Sequence, residues 1–352
     1  MRLSTLELFG SGALSGVKLT PEGRPLTVLF GADGVGKTAV LAAIASTRPG
    51  HALPLLPRRS RNEEAVPEVP FATADWMLGD DDPERPHPLR VASPNAQLGE
   101  QEAEAGLRRR EQALFDRRAQ ERGGYAFIAF SGARWFSRAP VVLATPERTV
   151  LRYDVRGAVA FDDASRADLT RETKQVLTVA AIGSALERAD GEGGDLAQLD
   201  TALREVAAIV LAPFSAEYDH VDPRSLEPIF TLETRDVVFE ELPRGARHLF
   251  AIVVLATRVL YAAYGGRGGD QRPIREREGV VVIDDLESQQ DTALLRHLPV
   301  FLKSALPRVQ WIVATSASAL TLGCERDEVI ALRRETDHDR VLVHEGAFAV
   351  LH

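Results

Sequence analysis

Hydrophobic and polar positions along the chain follow two rhythms. Largely apolar runs at 26–30, 125–130, 280–283, 309–314 and 329–332 predict strands, and 26–30, nearly all apolar, has the form of a strand buried on both faces. Shorter apolar pieces around Leu6 and Leu8 and at 17–19, 71–77, 89–91 and 341–344 predict further strands. Between them the repeat lengthens to that of helices, at 38–45, 100–122, 195–211, 244–264 and 292–304. Another helix is expected from a cap at Ser165 to about Arg188, with Leu169, Val176, Leu177 and Ala180 on one face. Leu199, Leu203, Val206 and Val210 form the apolar face of the 195–211 helix. Segments 229–232 and 237–239 flank Arg235–Asp236 and read as a hairpin. Strands alternating with helices predict an α/β sheet with helices on both faces.

Composition narrows this picture without redirecting it. The 352 residues are 45% hydrophobic and 26% charged, ordinary for a globular chain with a core. The net charge of −9 does not advertise nucleic-acid binding. Arg134, Trp135 and Arg138, and the arginines Arg108, Arg109, Arg110, Arg117, Arg118 and Arg122, can contact DNA. Glutamates interleaved in the 100–122 helix favour a solvated face instead. A single cysteine, Cys324, forbids an internal disulfide and suits a reducing cytosol, so a cytoplasmic protein is expected. The start shows no signal peptide, and the best apolar stretch, 249–264, is short and interrupted by Arg258, so no membrane association is expected. Residues 53–70 read as a surface loop and 265–278 as a polar one. Asp80, Asp81 and Asp82, among three prolines, are either a solvated turn or a metal site, and the turn is favoured. No histidines have zinc-ligand spacing. His248 and His297 fall in predicted helices as packing or surface residues.

The first candidate chemistry is the segment Gly31-Ala32-Asp33-Gly34-Val35-Gly36-Lys37-Thr38, followed by Ala39, which fits G-x-x-x-x-G-K-[ST]. Glycines let the backbone curl so that successive N–H groups point at one anion. The following helix adds its positive end. Lys37 can reach the β- and γ-phosphates, and Thr38 can ligate Mg²⁺. A buried strand before and a helix after are the context this motif needs. Lysine is otherwise confined to Lys18, Lys174 and Lys303, so the amine at Lys37 stands out.

The second is the apolar run at 280–283 ending in Asp284-Asp285. Beside a phosphate loop, the first acid suits the Mg²⁺ shell and the second an attacking water. Asp284 is therefore assigned to the metal and Asp285 to the water.

These segments resemble a family. LTVLFGADGVGKTAVLAAIA near the start, and VVVIDDLESQQD followed by a helix and RVQWIVATSASAL near the end, are similar to SMC, RecF and OLD-type ATPases of the ABC superfamily. The resemblance covers about 1–46 and 239–332. It implies a P-loop NTPase of SMC/RecF-like ABC type: a mixed central sheet flanked by helices, with a helical lobe. It also implies ATP and Mg²⁺ as ligands and a homodimer closed over ATP. The family's signature, which touches a partner's nucleotide, matches Pro243, Arg244 and Gly245.

Three departures from the family pattern fall on hydrolysis. The usual catalytic glutamate is Asp285, one methylene shorter, with Glu287 as a substitute. The signature serine is Pro243; Arg244 beside it either supplies charge across the interface or is a solvated helix-start residue. The switch histidine falls on Thr315 or Ser316. Slow turnover is expected, in a head acting in DNA maintenance or phage defence; the alternative is a nucleotide-sensing regulatory or scaffold subunit. No nuclease domain of the OLD type is expected, so any nuclease or effector activity is expected to belong to a partner protein. Three regions are expected: 1–150 with the phosphate loop, a strand-rich edge and a charged helix; 151–240 with a helical lobe and hairpin; and 241–352 with the signature-like helix, the acid-tipped strand and the closing strands.

Overall fold

The computed structural model describes residues 1–21, 23–49, 71–79, 87–93, 101–122, 126–141, 143, 168–191, 194–264, 272–335 and 340–349. Strand β1 (Arg2–Phe9) pairs antiparallel with β2 (Lys18–Leu19). The nearly all-apolar run becomes β3 (Leu26–Phe30), and the glycine loop leads into α1 (Lys37–Ser46). Strand β4 (Phe71–Met77) returns to pair with β1, and β5 (Leu89–Ala92) pairs with β4, completing a four-stranded antiparallel sheet. Helix α2 (Glu102–Arg122) buries Glu111 and Phe115, and over 102–117 the other side chains are exposed or partly exposed, as their charges predict. The acidic trio at 80–82, the 53–70 loop and Ser165 lie outside the described residues.

Strand β6 (Phe127–Phe130) begins the approach to the helical layer. Helix α3 (Thr170–Ala189) starts later than its expected cap at Ser165. The Thr170 amide donates to Asp168 Oδ1 at 3.1 Å, so that carboxylate serves the helix start. Helix α4 (Asp195–Leu211) packs on α3 with Leu199, Leu203, Val206 and Val210 fully buried. Strand β7 (Ala216–Val221), which the sequence pattern does not show, pairs with β8 (Pro228–Leu232), and β8 pairs with β9 (Arg235–Val238). The expected turn at Arg235–Asp236 is corrected: both residues are in β9. The reversal falls on Glu233 and Thr234, with Glu233 at φ 57°.

Helix α5 (Arg244–Tyr264) runs through the core. Its length and apolarity suffice to cross a membrane, but it is mostly buried inside the protein. Strand β10 (Gly279–Ile283) carries the two acids at its end. The continuous helix expected over 292–304 is two helices, α6 (Thr292–Leu295) and α7 (Leu298–Ala305). Pro299 lies in the first turn of α7, where its missing N–H does least harm. Strand β11 (Val309–Thr315), helix α8 (Ser318–Thr321) and strands β12 (Val329–Glu335) and β13 (Arg340–Glu345) complete the described elements.

The central sheet has the order β13-β12-β3-β11-β10-β6, parallel except for β13 at one edge. One face packs on α3, α4, α5 and α7, the other on α1 and the four-stranded sheet. Gln310 of β11 stitches the two sheets. Its Oε1 accepts from the Leu3 amide at 2.8 Å, and its Nε2 donates to Leu3 and Pro21 carbonyls at 3.0 and 3.1 Å. The carboxyl ends of β3, β6, β10, β11 and β12 all point one way, where ligands bind in open α/β sheets.

Candidate nucleotide site

The glycine loop sits at the end of β3, between β11 and β12. Its three motif glycines have separate reasons. A Cβ on Gly31 would lie 2.6 Å from the Leu332 carbonyl oxygen. Gly34 has φ 78°, in the left-handed region. Gly36 has φ 105°, and a Cβ there would meet Leu14 at 2.7 Å. Leu14 lies in the short turn between β1 and β2, so the N-terminal sheet presses on the loop from behind. Ala32, Asp33, Gly34, Thr38 and Ala39 are exposed, while Val35 and Lys37 are buried. The Lys37 ammonium donates to the Gly31 and Ala32 carbonyls at 2.7 and 3.1 Å and lies 3.8 Å from the Asp33 carboxylate.

Register brings the acids to this loop. The Asp284 amide donates to the Phe130 carbonyl at 2.9 Å, extending the β10–β6 pairing by one bond. Thr38 Oγ1 donates to Asp284 Oδ2 at 2.8 Å, across 246 residues of sequence. Asp284 is 4% exposed, and its other oxygen, Oδ1, is buried without a hydrogen-bond partner. Burial raises its pKa, against the Thr38 bond that lowers it, and the Asp285 charge adds to the rise. A hydroxyl and a carboxylate with an orphaned oxygen are hard donors of the kind Mg²⁺ takes alongside phosphates. Among the described residues no group of three or more His, Cys, Asp or Glu side chains forms a metal cluster; a phosphate-shared Mg²⁺ needs none.

Asp285 follows at φ 46°, half-buried, its pKa raised by burial and then by Glu287. Its carboxylate rests on Gly132: a Cβ there would lie 2.6 Å from Asp285 Oδ2. Glu287 reaches the switch position. Its Oε1 accepts from the Ser316 amide at 2.6 Å and the Ser316 hydroxyl at 3.0 Å. Of the two candidates there, Thr315 is fully buried and its hydroxyl accepts from the Ala317 amide, leaving Ser316 as the exposed one.

Pro243 and Arg244 are exposed at the start of α5, and Gly245 is buried. The Gly245 carbonyl accepts from Gln290 Nε2 at 3.1 Å, so this helix start is tied to the loop that follows the acids.

Arg134, offered with Trp135 and Arg138 as able to contact DNA though that reading was not the favoured one, is 3% exposed and faces inward. It donates to the Ser131 and Asp284 carbonyls at 2.6 Å each and to the Asp285 carbonyl at 2.8 Å. Burial lowers its pKa to about 10, against the nearby carboxylates. Only its position after a small-residue run, Ser131-Gly132-Ala133, hinted at a close approach. A cleft of about 650 Å³ opens beside the loop, lined by residues of 30–35, Ser316, Arg333, Arg334 and Ala349.

A crystal structure of an SMC head bound to the C-winged helix domain of ScpA matches this arrangement over all of both chains, at TM-score 0.55 and 15% identity. The chain has the fold of an SMC head. An SMC head domain from Thermotoga maritima matches at TM-score 0.47 and 12% identity, covering 98% of this chain and 99% of that one. An SMC head from Pyrococcus furiosus, with an extended coiled coil and the C-terminal domain of ScpA, matches at 0.49 and 15%, covering 98% and 96%. The fold assignment stands on the first of these. No protein-family model matches the sequence, and neither does any curated protein.

Proposed function

We propose that the chain binds Mg²⁺ and ATP with the phosphates in the curl of residues 31–38, and that it hydrolyses ATP slowly. The observation that carries this is the Thr38–Asp284 contact at 2.8 Å beside the orphaned Asp284 oxygen. Thr38 and Asp284 would hold the metal, which supplies charge neutralisation at the phosphates. Lys37 would exchange its loop carbonyls for phosphate oxygens. Asp285, with its raised pKa, is the acid suited to take a proton from water. Glu287 is engaged by Ser316 and is less suited to that task.

On this reading two copies pair over nucleotide through the exposed start of α5, with Pro243 and Arg244 facing the other copy. A second protein, an effector or a nuclease, then reads the paired state in DNA maintenance or phage defence. The short Asp285 side chain and the engaged Glu287 also support a second reading, a regulatory or scaffold subunit that binds ATP with negligible turnover. Calorimetric titration with ATP, with and without Mg²⁺, tests the shared core. Lys37→Ala should weaken uptake by roughly 10- to 100-fold, the worth of a charge-assisted bond. No uptake by the unaltered protein would end both readings. Turnover stimulated by DNA would favour the first reading, and uptake without turnover the second.

A further inference from the structure

The buried arginine behind the acids is not used by the nucleotide reading, and the geometry gives it a task. We propose that Arg134 is a positioning residue: its guanidinium clamps the backbone of Asp284 and Asp285 and so aims both carboxylates at the phosphate loop. The inference rests on the nucleotide reading above and concerns how that site is held.

Three observations converge. First, the fork bonds consecutive carbonyls, Asp284 through one nitrogen at 2.6 Å and Asp285 through the other at 2.8 Å. The first nitrogen also bonds Ser131, at the end of the neighbouring strand β6. A planar, permanently charged fork can hold two peptide planes at once; an ammonium cannot match that geometry. Second, those carbonyls lie where the chain leaves β10 and turns sharply, with Asp285 in the left-handed region at φ 46°. Such a backbone persists where its surroundings over-determine it. Third, the arginine stands on a fixed mount. The Trp135 carbonyl accepts from the Leu169 amide at 3.1 Å. The Ser137 amide donates to Asp168 at 3.1 Å and its hydroxyl donates to the same carboxylate. The Ala139 carbonyl accepts from buried Lys174 at 2.7 Å. Phe136 packs edge-on against Phe239 and His248. The segment therefore cannot drift, and neither can the acids it grips.

A guanidinium bonded only to carbonyl oxygens takes no proton and touches no phosphate, so its loss should act through the acids alone. The test uses the full chain and a non-hydrolysable ATP analogue. Nucleotide uptake is measured first in EDTA and then against rising Mg²⁺, with Mn²⁺ bound at the same site read by electron paramagnetic resonance. Arg134→Met should keep metal-free uptake within about twofold, while the Mg²⁺ concentration for half-effect rises about tenfold and the Mn²⁺ spectrum broadens. Arg134→Lys should recover part of that shift. If Arg134→Met does not fold, the Arg134→Lys titration decides alone. Gly132→Ala, whose methyl would meet the Asp285 carboxylate, should lower turnover without moving the Mg²⁺ titration. Titrations that superpose on the unaltered protein would overturn the positioning role and leave the nucleotide reading standing. Failure of the unaltered protein to take up the analogue would instead remove that reading, and this inference with it.

Discussion

Gly36 shows how narrow the tolerance at single residues is. Its φ of 105° and the 2.7 Å approach to Leu14 are independent objections to any side chain. Gly36→Ala should destabilise the protein by about 2 kcal/mol from backbone strain and contact together, read as a lowered urea midpoint. In a Leu14→Ala background, itself less stable because Leu14 is buried, the same substitution should cost less by the contact part alone. Asp284 makes the opposite prediction for stability. Burial and the Asp285 charge both oppose its ionised form. Asp284→Asn should leave the melting temperature in EDTA unchanged or higher, while Mg²⁺-dependent uptake of nucleotide is lost. Sites of this kind trade stability for function. At this scale the sequence showed the loop and the acids, because motif spacing records them directly. It did not show Arg134, because an arginine bonded only to carbonyl oxygens leaves no pattern of residue types.

At the scale of elements, legibility followed burial. Strand β3 and helix α5 have the bounds expected of them, since unbroken apolar runs and a long helical repeat have few other readings. Strand β7 was missed because its sequence, AEYDHV, mixes Glu217, Asp219 and His220 among its apolar residues and follows α4 after only a short turn. The break between α6 and α7 was missed because the apolar repeat continues through it while Arg296 and His297 cap one helix and start the next. The hairpin turn was misplaced because Glu233 adopts a positive φ that glycine or asparagine more often takes. Apart from Thr38 and Asp284, contacts between elements were not legible, and Gln310 is the plainest case. It satisfies backbone groups of Leu3 and Pro21 while 1% exposed. Gln310→Met keeps the volume and orphans those groups. It should destabilise the protein by at least about 2 kcal/mol in urea unfolding.

At the scale of the whole molecule, a buried charge cluster among the described residues contributes to the response to acid. Glu278 is 2% exposed and holds the Met1 ammonium at 3.1 Å and Arg308 at 2.6 Å. These partners lower its pKa to about 2, against the burial that would raise it. A depressed carboxylate contributes stability above its unfolded pKa, about 4.3, and loses it as pH falls towards the folded value. Stability should therefore drop between about pH 4.5 and 2, by on the order of 2–3 kcal/mol from this group. Glu278→Gln should flatten that limb of the pH–stability curve while lowering stability at neutral pH. The cluster sits where the N-terminal sheet meets the start of β10, so the same loss should loosen the support behind the nucleotide loop.

The place of β3 in the central sheet has a consequence for how the protein is made. That strand is synthesised long before both its hydrogen-bonding neighbours, β11 and β12. Until then its two edges are bare, and an apolar strand with open edges is a template for association with other nascent chains. Maturation of this protein is therefore a race between synthesis of β11 and β12 and aggregation. Release truncated before residue 309 should yield insoluble product at any temperature, whereas the whole chain should depend on holding factors only while it is being built.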